Sequence, residues 1–493
     1  MSGSISVDLF LLWAGVILAL ATIEGCACTH AAGGGSSLPA AATSVTSDLR
    51  ERALASRGAA ELVRNLTDEV GPRLAGSTGS KAAVEWAVRV FAEHGFANVH
   101  AEPVTVPHWE RGEENGAVVA PVQQLLHVTA LGGSIGTVPG GVEAPVIEVD
   151  SLEAVGRLPP GAAAGKIVFY NIPMDRSRDG RGYGRAVPAR GVGAARAAAL
   201  GAVAAVIRSI GTDHNRLPHT GAMRRDEKGP TVPAAALSVP DAELLHRLIE
   251  KHKSVRLRLT LGCRWLPDAQ SANVVAEIPG AVRPEEIVLL GAHLDSWDLG
   301  TGAIDDGAGV GVVMNAAQLV GSLSPRPKRT IRVVLFANEE NGLSGAQAYA
   351  KAHQADADKH VAALEADSGT GRAYGLRYLG EPQARERLAA ITLALQPLGI
   401  EPLPDDAHGG ADLGPLRALG VPMIDVAQDV STYFDYHHTA NDTFDKIDPE
   451  SLAQVSAAFA LLAQGIADLD GDFGRVPEPK RQPDRRGAQP MSF

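Results

Sequence analysis

The sequence predicts an α/β fold: a mixed, mostly parallel sheet flanked by helices, with a second unit inserted into it. Three observations predict this. Short uninterrupted apolar runs recur late in the chain, at Ile287-Val288-Leu289-Leu290, Thr330 to Ala337 and Val361 to Leu364. Such runs are what strands buried on both faces of a parallel sheet require. Each run leads into a polar cluster, and open α/β sheets bind ligands just beyond the carboxyl ends of their strands. Between about Glu110 and Pro267 strand and helix signals continue without any such cluster, so this stretch reads as a separate unit.

At the start of the chain, Leu9 to Ile23 is apolar and uncharged. It is shorter than the ~20 residues of a membrane span and suits the core of a signal peptide. It ends at Ile23-Glu24-Gly25-Cys26, which resembles a bacterial lipoprotein cleavage box with Cys26 as the lipidated residue. Cleavage without lipidation is the alternative, because Met1 to Asp8 has no Lys or Arg. The glycines from Gly33 to Gly35 form a flexible tether. Residues 1–45 are therefore expected to be leader and linker, and the mature protein periplasmic or extracellular.

Residues 46–109 open the main domain. Ser80 to Gly95 has helical apolar spacing through Ala83, Val84, Ala87, Val88 and Phe91, and Gly95 stops it. Val99 to Trp109 is expected to be an edge strand. In the unit 110–267, Lys166 to Asn171, Ala202 to Ile207 and Val232 to Leu237 read as strands. Gly191 to Leu200 and Asp241 to Lys251 read as helices. Pro218-His219-Thr220-Gly221 is its most distinctive piece: His219 is either satisfied by backbone or part of a loop capping a cleft. Residues 268–470 resume the main domain with a strand at Asn273 to Ile278 and close with a helix at Gln454 to Ile466. Residues 471–493, rich in Pro, Arg and Asp, are expected to be unable to order themselves.

The chain has 493 residues and a net charge of −12, with no long basic run. It is long enough for two domains, and the charge argues against nucleic acid or an anionic membrane as partner. Its three cysteines, two of them in the leader, make no disulfide framework.

The polar clusters carry the chemistry. They supply His293, Asp305, Glu340, Asp367 and, after Val421-Pro422-Met423-Ile424, His438. Imidazoles and carboxylates are ligands zinc accepts. Five exceed the need of one tetrahedral ion and fit two metals sharing a bridging carboxylate. No Gly-x-Ser-x-Gly elbow occurs in a strand-turn-helix context, which argues against a serine hydrolase.

The order His-x-Asp, Asp-Asp-Gly, Asn-Glu-Glu-x-Gly-x-x-Gly, Asp-Ser-Gly, His-Thr-x-x-Asp-Thr resembles the M28 family of co-catalytic zinc exopeptidases. The resemblance runs from about Gly71 to Pro449. It implies two Zn2+ per chain: His293 and Asp367 on one, Glu340 and His438 on the other, and Asp305 bridging, with a cis peptide after it and Asp306 outside the coordination sphere. His437 is the rival of His438, which stands four residues before Asp442 as in the family motif. Glu339 is implied as general base and Asp295 as the carboxylate fixing the ring of His293. His408, Asp412 and Tyr436 are the substrate-binding candidates, with Tyr433 beside them. The resemblance further implies an inserted protease-associated (PA) domain at 110–267, a peptide substrate and a homodimer. Cleavage from either peptide end is open. A one-zinc glutaminyl-cyclase-like acyltransferase is disfavoured by the full ligand set. A receptor-like protein on this fold would have lost ligands.

Overall fold

A computed structural model describes residues 40–224, 229–471 and 473–482. Its first sheet has eight strands. Their order is Ala97–Glu110, Arg264–Ile278, Arg329–Phe336, Arg283–His293, His360–Glu365, Met423–Gln428, Ala373–Leu379 and Glu401–Pro402. The four strands in the middle, from Arg329–Phe336 to Met423–Gln428, run parallel. Antiparallel strands close both sides, and Ala97–Glu110 is an edge strand, as expected for Val99 to Trp109.

The apolar runs are explained by burial on two faces. Along Arg283–His293, Val288, Leu290 and Ala292 enter one core while Ile287 and Leu289 enter the other. The first core is covered by helices Gly58–Glu69, Ala308–Gly321 and Pro449–Asp468. The second is covered by Ser344–Ala352 and Gly414–Ala418.

A second eight-stranded sheet is built wholly from residues 114–261. Its strands Ile167–Tyr170, Ala204–Arg208 and Ala234–Leu237 match the expected positions. The helix expected from Gly191 begins earlier, at Arg181. Its first turns hold Gly182, Gly184 and Pro188, weak helix formers that hide it from a propensity reading. Two strands, Ala97–Glu110 and Arg264–Ile278, carry the chain into and out of this unit side by side, paired from Ala97 to Glu110.

The expectation for the tail fails at its start. Phe473 and Val476 are buried, and Arg475 donates to the carbonyls of Ala357 and Leu419. Two apolar anchors and one arginine order this segment despite its polar composition. Residues 483–493, like the leader and Cys26, lie outside the described residues. Among the described residues, no helix is long and apolar enough to cross a membrane.

Candidate active site

Strand register brings the polar clusters together. His293 pairs with Phe336, three residues before Glu339, and Gly291 pairs with Glu365, two before Asp367. The clusters therefore emerge at one level, at the carboxyl ends of parallel strands.

His293, Asp305, Glu340, Asp367 and His438 converge, each no more than 8% exposed. One oxygen of Asp305 lies 3.1 Å from Nε2 of His293, and the other lies 3.3 Å from Nε2 of His438. Nε2 of His438 is also 3.1 Å from Glu340, and Nε2 of His293 is 3.8 Å from Asp367. A single carboxylate thus faces two imidazoles, each backed by its own second carboxylate. Three groups of potential ligand atoms lie within 4.8 Å of one another: His293-Asp305-Glu340, His293-Asp306-Asp367 and Asp305-His437-His438.

The residues around the cluster fix it. The Asp305–Asp306 peptide is cis. Asp306 accepts from the backbone N–H of His293 and of Gly309, so its carboxylate is spent on the chain. Asp442 does the same for Ile304 and Asp305, and burial beside Asp305 raises its carboxyl to about 7. Arg73, fully buried, donates to the carbonyls of Leu294, Thr301 and Gly302 and so ties down both ends of the loop before Asp305. His438 has φ 63, a left-handed conformation that costs a non-glycine residue about 1–3 kcal/mol. Thr220 of the inserted unit holds it there, donating its N–H to the His438 carbonyl at 3.0 Å.

Electrostatics are severe. Burial, reinforced by neighbouring carboxylates, pushes Glu339 and Glu340 well above the usual carboxylate range. Burial also raises Asp305, but hydrogen bonds from His293 and His438 outweigh it and hold Asp305 well below that range. Glu340 Oε1 and His437 Nδ1 are buried without a hydrogen-bond partner. Orphaned donor-set atoms in a buried carboxylate cluster fit a multivalent cation.

Asp295 does something other than expected. Its carboxylate is 3.8 Å from His293 Nδ1, beyond hydrogen-bond range, and the ring bonds the Asp295 carbonyl oxygen at 3.0 Å instead. The carboxylate accepts from the N–H groups of Glu339 and Glu340, at 3.0 and 3.4 Å, so it sets the turn carrying both glutamates.

A cavity of about 310 Å³ opens over the cluster, with Glu339, Glu340, Asp367, Tyr433, His437 and His438 on its wall. The inserted unit supplies the opposite wall through Tyr183, Arg190 and Met223. The substrate candidates fare less well. His408 is exposed, and its N–H is held by Asp425. Asp412 is fully buried, and its loop is oriented by Glu365, which accepts from the N–H of Asp412 and Leu413. Tyr436 packs against the main core and under Lys446. None of the three lies on the cavity wall. A loop after a strand end looks alike in sequence whether it faces the cleft or backs it. His219 is satisfied by backbone, the first of its two expected readings: Nδ1 lies 2.7 Å from the carbonyl of His437, and Asp213 pairs with Nε2.

Residues 273–463 match the family model Peptidase family M28. Carboxypeptidase Q of Mus musculus is 39% identical over 405 residues, covering 82% of this chain and 84% of that protein. The chain belongs to peptidase family M28. Carboxypeptidase Q of Homo sapiens is 37% identical over a like share of both chains. The crystal structure of a peptidase M28 precursor from Shewanella amazonensis is 46% identical, with a TM-score of 0.86 over 88% of this chain and 98% of that one. BSAP, a zinc aminopeptidase from Bacillus subtilis, shares the fold at 18% identity and a TM-score of 0.62, covering 86% of this chain and 98% of that one.

Proposed function

We propose that this M28 protein is an exported dizinc exopeptidase that hydrolyses peptide bonds of dipeptides or short peptides. The observation that carries the reading is the two-sided Asp305 carboxylate, with a histidine and a further carboxylate on each flank. His293 and Asp367 would hold one zinc ion, Glu340 and His438 the other, and Asp305 would bridge them. When bound, the pair supplies Lewis acidity to an attacking water and to the scissile carbonyl.

The chain's own groups do the rest. Glu339 stands on the cavity wall beside the ligand Glu340 and is the base that takes the proton from water and delivers it to the leaving amine. Its raised pKa suits a group that must accept and then release a proton. Asp295 holds the backbone of Glu339 and Glu340, so base and ligand keep their different directions.

The inserted unit is read as a PA-like domain that completes the cleft, which its contribution of Tyr183, Arg190 and Thr220 supports. Export, lipidation at Cys26 and a homodimer belong to the same proposal. Cys26→Ser should release a membrane-bound form, and a light-scattering mass near 51.3 kDa would contradict the dimer. Incubating purified protein with dipeptides and a peptide ladder, read by mass spectrometry, tests the activity. Stepwise loss from one end supports it. Internal cleavage, or glutaminyl cyclisation without hydrolysis, would overturn it.

A further inference from the structure

His219 is an imidazole of the inserted unit that the hydrolytic chemistry above does not use. It is 1% exposed. Its Nδ1 lies 2.7 Å from the carbonyl oxygen of His437, and its Nε2 lies 2.6 Å from Asp213. A carbonyl oxygen can only accept, so Nδ1 carries a hydrogen and donates it. The surroundings are shaped to the ring. Ser209 Oγ accepts the N–H of His219 at 2.9 Å. Gly211 has no positive φ, yet a Cβ there would stand 2.3 Å from both Cε1 and Nε2 of the imidazole. Glycine serves at 211 for the space it leaves, not for backbone freedom.

The ring holds the peptide that leads into His438. The φ of His438 is the rotation that relates the carbonyl carbon of His437 to its own. His219 takes the first of these carbonyls, and the N–H of Thr220 takes the second at 3.0 Å. Two neighbouring residues of the inserted unit thus pin the peptide planes on both sides of the His438 Cα, where φ is 63. A left-handed residue other than glycine persists only where its surroundings over-determine it. Thr212 extends the grip upstream, with its N–H on the Phe434 carbonyl at 3.0 Å and its hydroxyl on Asp435 at 2.8 Å. The other ligand candidates are set from within the main domain. The Asp295 carboxylate accepts from the N–H of Glu340, and its carbonyl meets the ring of His293. Asp442 accepts from the N–H of Asp305, and Ala366, just before Asp367, donates to Gly291.

We propose that His219 is a positioning residue: with Thr220 it fixes the direction in which His438 leaves the chain, so that the ion held by Glu340 and His438 depends on the docked inserted unit, while the ion held by His293 and Asp367 does not. This rests on the ligand assignment above and deepens it. The inserted unit is then more than a wall of the cleft, because one of the two metal sites is complete only when its loop from Ser209 to Thr220 is seated.

The test titrates zinc into stripped wild type, His219→Leu, His219→Asn and Gly211→Ala against a chromophoric chelator, which resolves two stepwise binding constants without turnover. Groups that orient a metal ligand are worth roughly 10- to 100-fold in metal affinity. In His219→Leu one constant should fall by that factor and the other should hold. Asparagine brings an N–H near the place of Nδ1, so His219→Asn should recover most of the loss. Gly211→Ala leaves every hydrogen-bonding group in the chain and only displaces the ring. It should match His219→Leu, and it carries the test if His219→Leu does not fold. Dipeptide turnover at limiting zinc should fall in kcat with KM little changed, and excess zinc should restore it. Unchanged constants in His219→Leu and Gly211→Ala would overturn the proposal. So would an equal fall in both constants, or His219→Asn no better than His219→Leu, since either marks a general loss of structure. Wild type binding fewer than two zinc ions would instead remove the ligand assignment on which the proposal rests.

Discussion

Adjacent glutamates with different tasks give the most exacting consequence of this site. Glu339→Gln keeps size and shape and removes only the ability to accept a proton. The N–H of residue 339 still donates to Asp295, so the turn should persist. General acid–base assistance is worth ~10²–10⁴-fold, about 2.7–5.4 kcal/mol of barrier at ~1.36 kcal/mol per decade. The predicted fall in kcat is of that size, with both metals retained and KM little changed. Glu340→Gln instead removes a charge 3.1 Å from Nε2 of His438. It should weaken one metal site, and excess zinc should partly restore its activity. The assay is turnover across a zinc titration, with metal content by elemental analysis on the same samples. Rescue of Glu339→Gln by zinc, with no rescue of Glu340→Gln, would reverse the two assignments. Full activity in both would show that this cluster is not the catalytic site.

The frame around the cluster can be tested through stability. Arg73→Met leaves the carbonyls of Leu294 and Thr301 without their donor, while that of Gly302 keeps the N–H of Gly307; at ~1–3 kcal/mol for each of the two, urea unfolding should show a loss of about 2 kcal/mol or more, and a loss below about 1 kcal/mol would contradict the clamp. Arg111→Met breaks its two-pronged pair with Asp298, which ties the inserted unit to the metal-bearing domain; because Asp298 is partly exposed, the loss should be about 2 kcal/mol, and unchanged stability would show that the pair is incidental. His360, buried between the Tyr349 hydroxyl and the Asp356 carbonyl, is lowered by burial to about 4. Its stabilising contribution is complete above the unfolded value of ~6.5 and is lost as pH falls through about 4. Across that window it amounts to about 3 kcal/mol, and pH-resolved unfolding of His360→Gln should show a shallower decline than wild type.

Much of the fold was legible because burial on both faces leaves a plain mark. Ile287 to Leu290, Ile331 to Phe336 and Val361 to Leu364 are apolar at every position but Arg332, and all are central strands. Residues just past a strand end in such a sheet are placed by topology, so His293, Glu340 and Asp367 could be found without coordinates. Partners distant in sequence could not. Nothing local marks Arg73 as the clamp of a loop more than two hundred residues away, or Thr220 as the backbone partner of His438. Asp295 shows the limit of reasoning by motif: its spacing from His293 is right, but its carboxylate turned to the glutamate backbone. His408, Asp412 and Tyr436 stand off the cavity wall, and loop direction there depends on anchors such as Asp425 and Glu365, which sequence spacing does not reveal.

If Asp305 joins two metal ions in one catalytic site, hydrolysis and metal binding must rise together. Zinc titration of the stripped protein, following dipeptide hydrolysis and bound metal on the same samples, separates a paired site from a single one. Activity should reach its plateau at two bound zinc ions per chain, and Asp305→Asn should bind neither firmly. Full activity at one bound ion, with no further change on binding a second, would contradict it.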